Sequence, residues 1–141
     1  MADTSLLQTL LDAPYVSRFG IQLNLSGDEL TGVLPFRDDI VGNPLIPALH
    51  GGAVGAFLEV VAAGSLITSQ ELSRLPKPID VAIDYLRPAR AHDVFARAQV
   101  ARSGRRVANV RVEAWQGRRG KPVATLHGHF LIAPARREDT A

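Results

Sequence analysis

His50-Gly51-Gly52 stands directly before an apolar run, Ala53 to Ile67, whose one charged residue is Glu59. A carboxylate in such surroundings is expensive to bury unless it is paired or used. Glycines just ahead of a helix leave backbone N–H groups open where partial positive charge collects. Together these residues predict a polarised carbonyl beside an activated acid, which is the chemistry of acyl transfer. Gly51 and Glu59 are eight residues apart, which is about 12 Å along a helix axis. Reacting atoms must approach to about 3–3.5 Å, so one chain cannot bring both groups to one carbon. Two antiparallel copies of the helix can, which predicts two sites per homodimer, each at the interface.

The elements that must position these groups follow from periodicity. Leu6, Leu7, Leu10 and Leu11 make one face of a short N-terminal helix, with Pro14 as its stop and residues 1–14 as a separate segment. Ile21, Leu23 and Leu25 alternate, Ser26-Gly27-Asp28 turns, and Leu30, Leu34 and Phe36 continue as a second strand. Residues 37–49, with Gly42, Pro44 and Pro47, read as a loop. The main helix runs from Gly52 to about Glu71, apolar nearly all round and therefore buried on most sides. Gly55 and Gly64 within it call for a packing reason, because glycine weakens a helix. Beyond it lie four strands. Ile79, Val81, Ile83 and Tyr85 share a face; Val94 to Val100 follow; Ala108, Val110, Val112 and Ala114 share a face; Ala124, Leu126, Phe130 and Ile132 share another. One long apolar helix and a long sheet predict an α+β domain over 15–132, a curved antiparallel sheet wrapped around the helix. The polar segment 133–141 reads as a loose tail.

Composition narrows the function classes. The chain has 141 residues and no cysteine, which excludes disulfides, thiolate metal sites and a cysteine nucleophile and suits the cytoplasm. No basic leader precedes the first helix. The run from Val54 to Ile67 is shorter than a membrane span and Glu59 interrupts it. Of 16 Lys and Arg, 14 lie from Arg74 onward, which predicts an anionic partner or a solvated arginine-rich surface. Nucleic acid is disfavoured, because aromatic residues are only 6% of the chain and offer few stacking platforms. His127 and His129 share a strand face without a third ligand, so no metal site is expected. Trp115 with Arg111 reads as a stacking or rim pair. There is no phosphate loop and no Gly-x-Ser-x-Gly elbow.

Asn43, His50-Gly51-Gly52, Glu59 nine residues after His50, and Asp84-Tyr85-Leu86-Arg87-Pro88-Ala89 together resemble the hotdog-fold thioesterases of the phenylacetate-degradation (PaaI) type. The turn Arg102-Ser103-Gly104-Arg105 and the strand Ala124 to Phe130 fit as well. The resemblance implies a hotdog fold and hydrolysis of an acyl-CoA thioester, with no separate cofactor. It implies that the Gly51 N–H polarises the thioester carbonyl and that Glu59 attacks it or activates water. Many relatives carry aspartate there; the glutamate resembles the 4-hydroxybenzoyl-CoA thioesterase branch and tilts the acyl group toward an aromatic one. Relatives often hold a Ser or Thr near the acid to position water. Here those positions are Ala63 and Pro78, with Ser65, Thr68 and Ser69 as substitutes.

His50 reads as a helix-entry residue rather than a base. Asn43 orients water or the carboxylate, or serves only the turn before Pro44. Gly52, Arg87, Arg90, Arg102, Arg105 and Arg106 are the candidates for binding substrate and the CoA phosphates. The expected assembly is a homodimer or a dimer of dimers. The rival readings are a non-hydrolytic acyl-CoA binder on the same fold and a hotdog dehydratase.

Overall fold

A computed structural model describes residues 4–135. Helices α1 (Thr4–Leu11) and α2 (Pro14–Phe19) are followed by strands β1 (Gln22–Ser26) and β2 (Glu29–Leu34). A single 3-10 turn, Asp38–Ile40, leads into a small hairpin, β3 (Val41–Asn43) and β4 (Ala48–Leu49). Helix α3 (Gly51–Ser69) comes next, then β5 (Lys77–Tyr85), β6 (Val94–Ser103), β7 (Val107–Trp115) and β8 (Ala124–Leu131). Six strands form one antiparallel sheet in the order β1-β2-β6-β7-β8-β5.

The sheet's inner face is set by alternation. In β7, Ala108, Val110, Val112 and Ala114 are buried, and in β8 Ala124, Leu126, Gly128 and Phe130 are. These meet α3, which also packs on β2, β6, β5 and α1. The glycines of α3 lie where the sheet comes closest. A Cβ on Gly55 would sit 2.9 Å from Ile83, and one on Gly64 would sit 2.9 Å from Leu23. Close approach of sheet to helix is the packing reason these two positions required.

Helix α3 is 19 residues long with mean hydropathy 1.6, long and apolar enough by composition to cross a membrane, contrary to the expectation that the run is too short. Here it is the core of the fold. Its uncovered positions before the last turn are Gly51, Gly52, Ala56 and Glu59. Gly52, Ala56 and Glu59 follow the four- and three-residue spacing of one helical stripe, so a single narrow groove of small side chains with Glu59 at its end is left open.

Three expectations are corrected. Pro14 starts a second helix rather than only ending the first, because proline at the first helical position gives up an N–H the helix does not use. Gly20, at φ 69°, ends that helix in the left-handed region. The face of β5 is not uniformly buried. Val81 and Ile83 are partly covered, but Ile79 and Tyr85 are 54% and 56% exposed. Strand β5 is a sheet edge, and a bulge between Pro78 and Asp80 shifts its register against β8. Residues 133–135 are tied down, since the Ser73 N–H donates to the Ala133 carbonyl at 2.7 Å and the Ala135 N–H to the Glu71 carbonyl at 3.0 Å. The rest of the expected loose tail lies outside the described residues.

Candidate active site

The entry to α3 is built by hydrogen bonds that leave one donor over. His50 is the N-cap, and its Nδ1 accepts the Gly52 N–H at 2.9 Å. In this turn that nitrogen is the acceptor, and His50 stands at the helix entry. The N–H groups of Ala53 and Val54 both go to the His50 carbonyl, at 3.1 and 3.2 Å. The Gly51 N–H has no acceptor among the described residues. Of the two glycine amides, Gly51 is free at the positive end of α3 and Gly52 is engaged, so the expected substrate contact by Gly52 finds its backbone donor already occupied.

Tyr85 at the end of β5 crosses this turn. Its hydroxyl donates to the Gly51 carbonyl at 2.8 Å, and its ring lies 3.3 Å from where a Gly51 Cβ would be. Both hold the first helical turn in place. Around it opens a cavity of about 370 Å³, lined by Gly51, Val54, Tyr85, Leu86 and Val123 among others. Replacing Tyr85 with Phe should lower kcat about three- to tenfold, the worth of one neutral hydrogen bond, with the fold retained by circular dichroism. An unchanged kcat would mean the turn holds without the hydroxyl.

The flanking candidates brace loops. The Asn43 Oδ1 accepts the Leu45 N–H at 3.1 Å, an Asx turn at the tip of the β3–β4 hairpin. This favours the turn reading over the water-orienting one. The Arg87 guanidinium lines the cavity but donates to the Pro122 carbonyl at 3.0 Å. Arg90 donates through its side chain to the Ile46 carbonyl and through its backbone to Gln116 at 2.8 Å. Arg102, Arg105 and Arg106 are exposed at the opposite end of the sheet, where Ser103, Ala108, Leu131 and Lys77 lie. The arginines proposed for CoA thus fall into two groups separated by the length of the strands.

Glu59 does not line the Gly51 cavity. It is half-buried on the open stripe of α3, with no hydrogen bond or ion pair among the described residues. Loss of solvent holds its carboxyl above the ordinary glutamate range. Tyr15 of α2 is the polar group that faces it; burial raises the phenol first, and the Glu59 charge adds to the rise. The expected substitute hydroxyls do not serve the acid. Thr68 Oγ1 donates to the Gly64 carbonyl at 3.1 Å and Ser69 Oγ to the Leu66 carbonyl at 3.4 Å, while Ser65 is buried. Tyr15 was invisible as a site residue because only the packing of α2 on α3 brings it to Glu59.

Two side features are also resolved. Trp115 stacks on Phe95, with centroids 6.3 Å apart, and carries the Arg119 guanidinium at 5.2 Å, so its partner is Arg119 rather than Arg111. His129 pairs with Asp80 at 2.9 Å on the outer sheet face.

The profile of the acyl-CoA thioesterase N-terminal domain family matches residues 43–135, which hold the glycine turn, Glu59 and the whole of β5 to β8. The chain belongs to the acyl-CoA thioesterase family. It is therefore a thioester hydrolase of the hotdog fold. The medium/long-chain acyl-CoA thioesterase YigI of Escherichia coli K12 is 34% identical over 116 residues, covering 71% of this thioesterase and 74% of YigI. A solved structure from Chromobacterium violaceum is 36% identical with a TM-score of 0.73, covering 94% of this thioesterase and 93% of that chain. A variant of the phenylacetic acid degradation protein PaaI of Thermus thermophilus is 26% identical with a TM-score of 0.70, covering 84% and 98%. The thioesterase resembles PaaI-like proteins in fold and sequence, as the residues around Gly51 and Glu59 led one to expect.

Proposed function

We propose that this thioesterase works as a homodimer in which Gly51 of one protomer and Glu59 of the other meet across a shared acyl-CoA. The observation that carries the proposal is complementary incompleteness. One end of α3 offers a free amide beside an apolar cavity and lacks an acid. The open stripe offers a desolvated, unpaired acid and lacks an electrophile holder. Strand β5 supplies the means of joining. It is nine residues long, lies at the sheet edge, and exposes Ile79 and Tyr85. A long exposed edge is a template for pairing with another strand, and antiparallel self-pairing yields a closed two-fold dimer.

In this arrangement the thioester carbonyl oxygen takes the Gly51 N–H. The Glu59 carboxylate removes a proton from water that attacks the carbon, or attacks the carbon itself and is released by water. The C–S bond breaks, the CoA thiolate takes up a proton, and the products are a free acid and CoA. Both routes need Glu59 ionised and consume one water. The apolar lining by Val54, Leu86 and Val123, together with the likeness to YigI, supports a medium- or long-chain aliphatic acyl group over an aromatic one. A panel of octanoyl-, palmitoyl-, benzoyl- and phenylacetyl-CoA decides between them. The substrate, a soluble CoA ester, is in keeping with a cytoplasmic enzyme.

Mixing two inactive chains tests the shared site. Glu59→Gln lacks the carboxylate and Gly51→Pro lacks the amide hydrogen. In a mixed dimer one site has both groups intact, so random re-pairing of equal amounts should restore about a quarter of the normal activity. No restoration, with mixed dimers shown by native mass spectrometry, would mean that each chain builds its own site.

A further inference from the structure

Residues 86–93 join β5 to β6 without regular structure, and Leu86 to Ala89 line the Gly51 cavity. Among the described residues one hydrogen bond lies within this segment, from the His92 N–H to the Arg90 carbonyl at 2.8 Å. Its shape is therefore set from outside. Gln116, half-buried just past the end of β7, grips its centre. The Gln116 Oε1 accepts the Arg90 N–H at 2.8 Å, and Nε2 donates to the Arg90 and His92 carbonyls at 2.9 and 3.1 Å. One N–H and two carbonyls as partners admit a single orientation of the carboxamide, so one side chain holds the segment at three points.

The gripped segment in turn holds the entry of α3. The Ala89 carbonyl accepts the Leu49 N–H at 2.8 Å, and the Arg90 side chain reaches the Ile46 carbonyl of the β3–β4 hairpin. Leu49 stands directly before His50, whose ring takes the Gly52 N–H while that of Gly51 stays free. Leu49, Ala89 and Gly51 line the same cavity. Tyr85 fixes the Gly51 carbonyl; the Ala89–Leu49 bond fixes the strand that feeds the turn. A continuous path thus runs from the Gln116 carboxamide through the Arg90 backbone, the Ala89 carbonyl and the Leu49 amide to the Gly51 N–H.

We propose that Gln116 is a positioning residue for thioester hydrolysis, acting through Arg90, Ala89 and Leu49 to aim the Gly51 N–H at the thioester oxygen. It touches neither substrate nor the reacting atoms. Its worth lies in geometry, because a donor displaced by about 1 Å can cost up to about a hundredfold in rate. Nothing in the local sequence marks Gln116, whose partners lie 24 and 26 residues away. The proposal rests on Gly51 as the holder of the carbonyl.

The test is a double-mutant cycle on acyl-CoA hydrolysis, read well below the melting point of every variant. Gln116→Leu removes all three bonds at similar size. In the otherwise unaltered enzyme it should lower kcat about tenfold with KM within about twofold. In the Gly51→Pro background, where the donor is already gone, the same change should lower kcat by less than about twofold. An equal loss in both backgrounds overturns the proposal, because Gln116 would then act elsewhere. So does an unchanged kcat with a lowered Tm, which marks a purely structural side chain. Should Gln116→Leu fail to fold, Gln116→Glu serves the same cycle, since it still accepts the Arg90 N–H and loses the two donated bonds. Failure of the underlying reading looks different: Gly51→Pro alone would keep full kcat, and this proposal would fall with it.

Discussion

Replacing Glu59 with glutamine should lower kcat by about 10²–10⁴, the usual worth of a positioned base or nucleophile, while the protein stays folded. The substitution keeps the size and removes only the charge. Because desolvation holds the Glu59 carboxyl above the ordinary range, the acid limb of the pH–rate profile should lie above that of an unperturbed glutamate. Activity should rise as pH passes upward through the raised value, since the ionised form does the work. Stability should run the other way. A carboxyl whose proton is held more tightly in the folded than in the unfolded state favours folding at low pH, and that contribution is lost as pH rises through the folded value. Glu59→Gln should therefore gain in Tm over the unaltered protein across that same window, and the gain should vanish on acidification. A variant that loses activity and Tm together at every pH would mark Glu59 as a structural acid.

The amide of Gly51 can be removed without removing the helix. Proline is accepted at the first position of a helix, and His50, at φ −62° and ψ 128°, already has the extended backbone that a residue before proline adopts. Gly51→Pro should lower kcat by about 10²–10³, the typical loss for one oxyanion donor. Gly51→Ala is the control. It meets the Tyr85 ring at the same 3.3 Å but keeps its N–H, so it should lose far less. Equal losses in the two variants, measured by steady-state thioester hydrolysis, would assign the effect to crowding of Tyr85 rather than to the lost donor.

The inner faces of β7 and β8 were legible because strict alternation at Ala108, Val110, Val112 and Ala114, and again at Leu126 and Phe130, leaves no other burial pattern. The central helix was legible for the opposite reason, being apolar on nearly every side. Strand β5 shows what local alternation leaves open. Its residues alternate as well as those of β7, yet its place at the edge exposes Ile79 and Tyr85, and sheet position is decided by strands far along the chain. The site divides in the same way. The free Gly51 amide follows from a local cap of three residues. The loop contacts of Arg87 and Arg90 span 35 and 44 residues, and no short-range spacing announces them.

The strand order has a consequence for biosynthesis. The last strand among the described residues, Ala124–Leu131, sits between β7 and β5 rather than at a margin. Helix α3 is complete at Ser69, 55 residues before that strand begins at Ala124. At ordinary translation speeds the most greasy segment of the nascent chain, covered at first only by α1, α2, β1 and β2, waits on the order of seconds before its cover is complete. Closure of the sheet thus waits on the synthesis of β8, and the interval before it is when chaperones have most to protect.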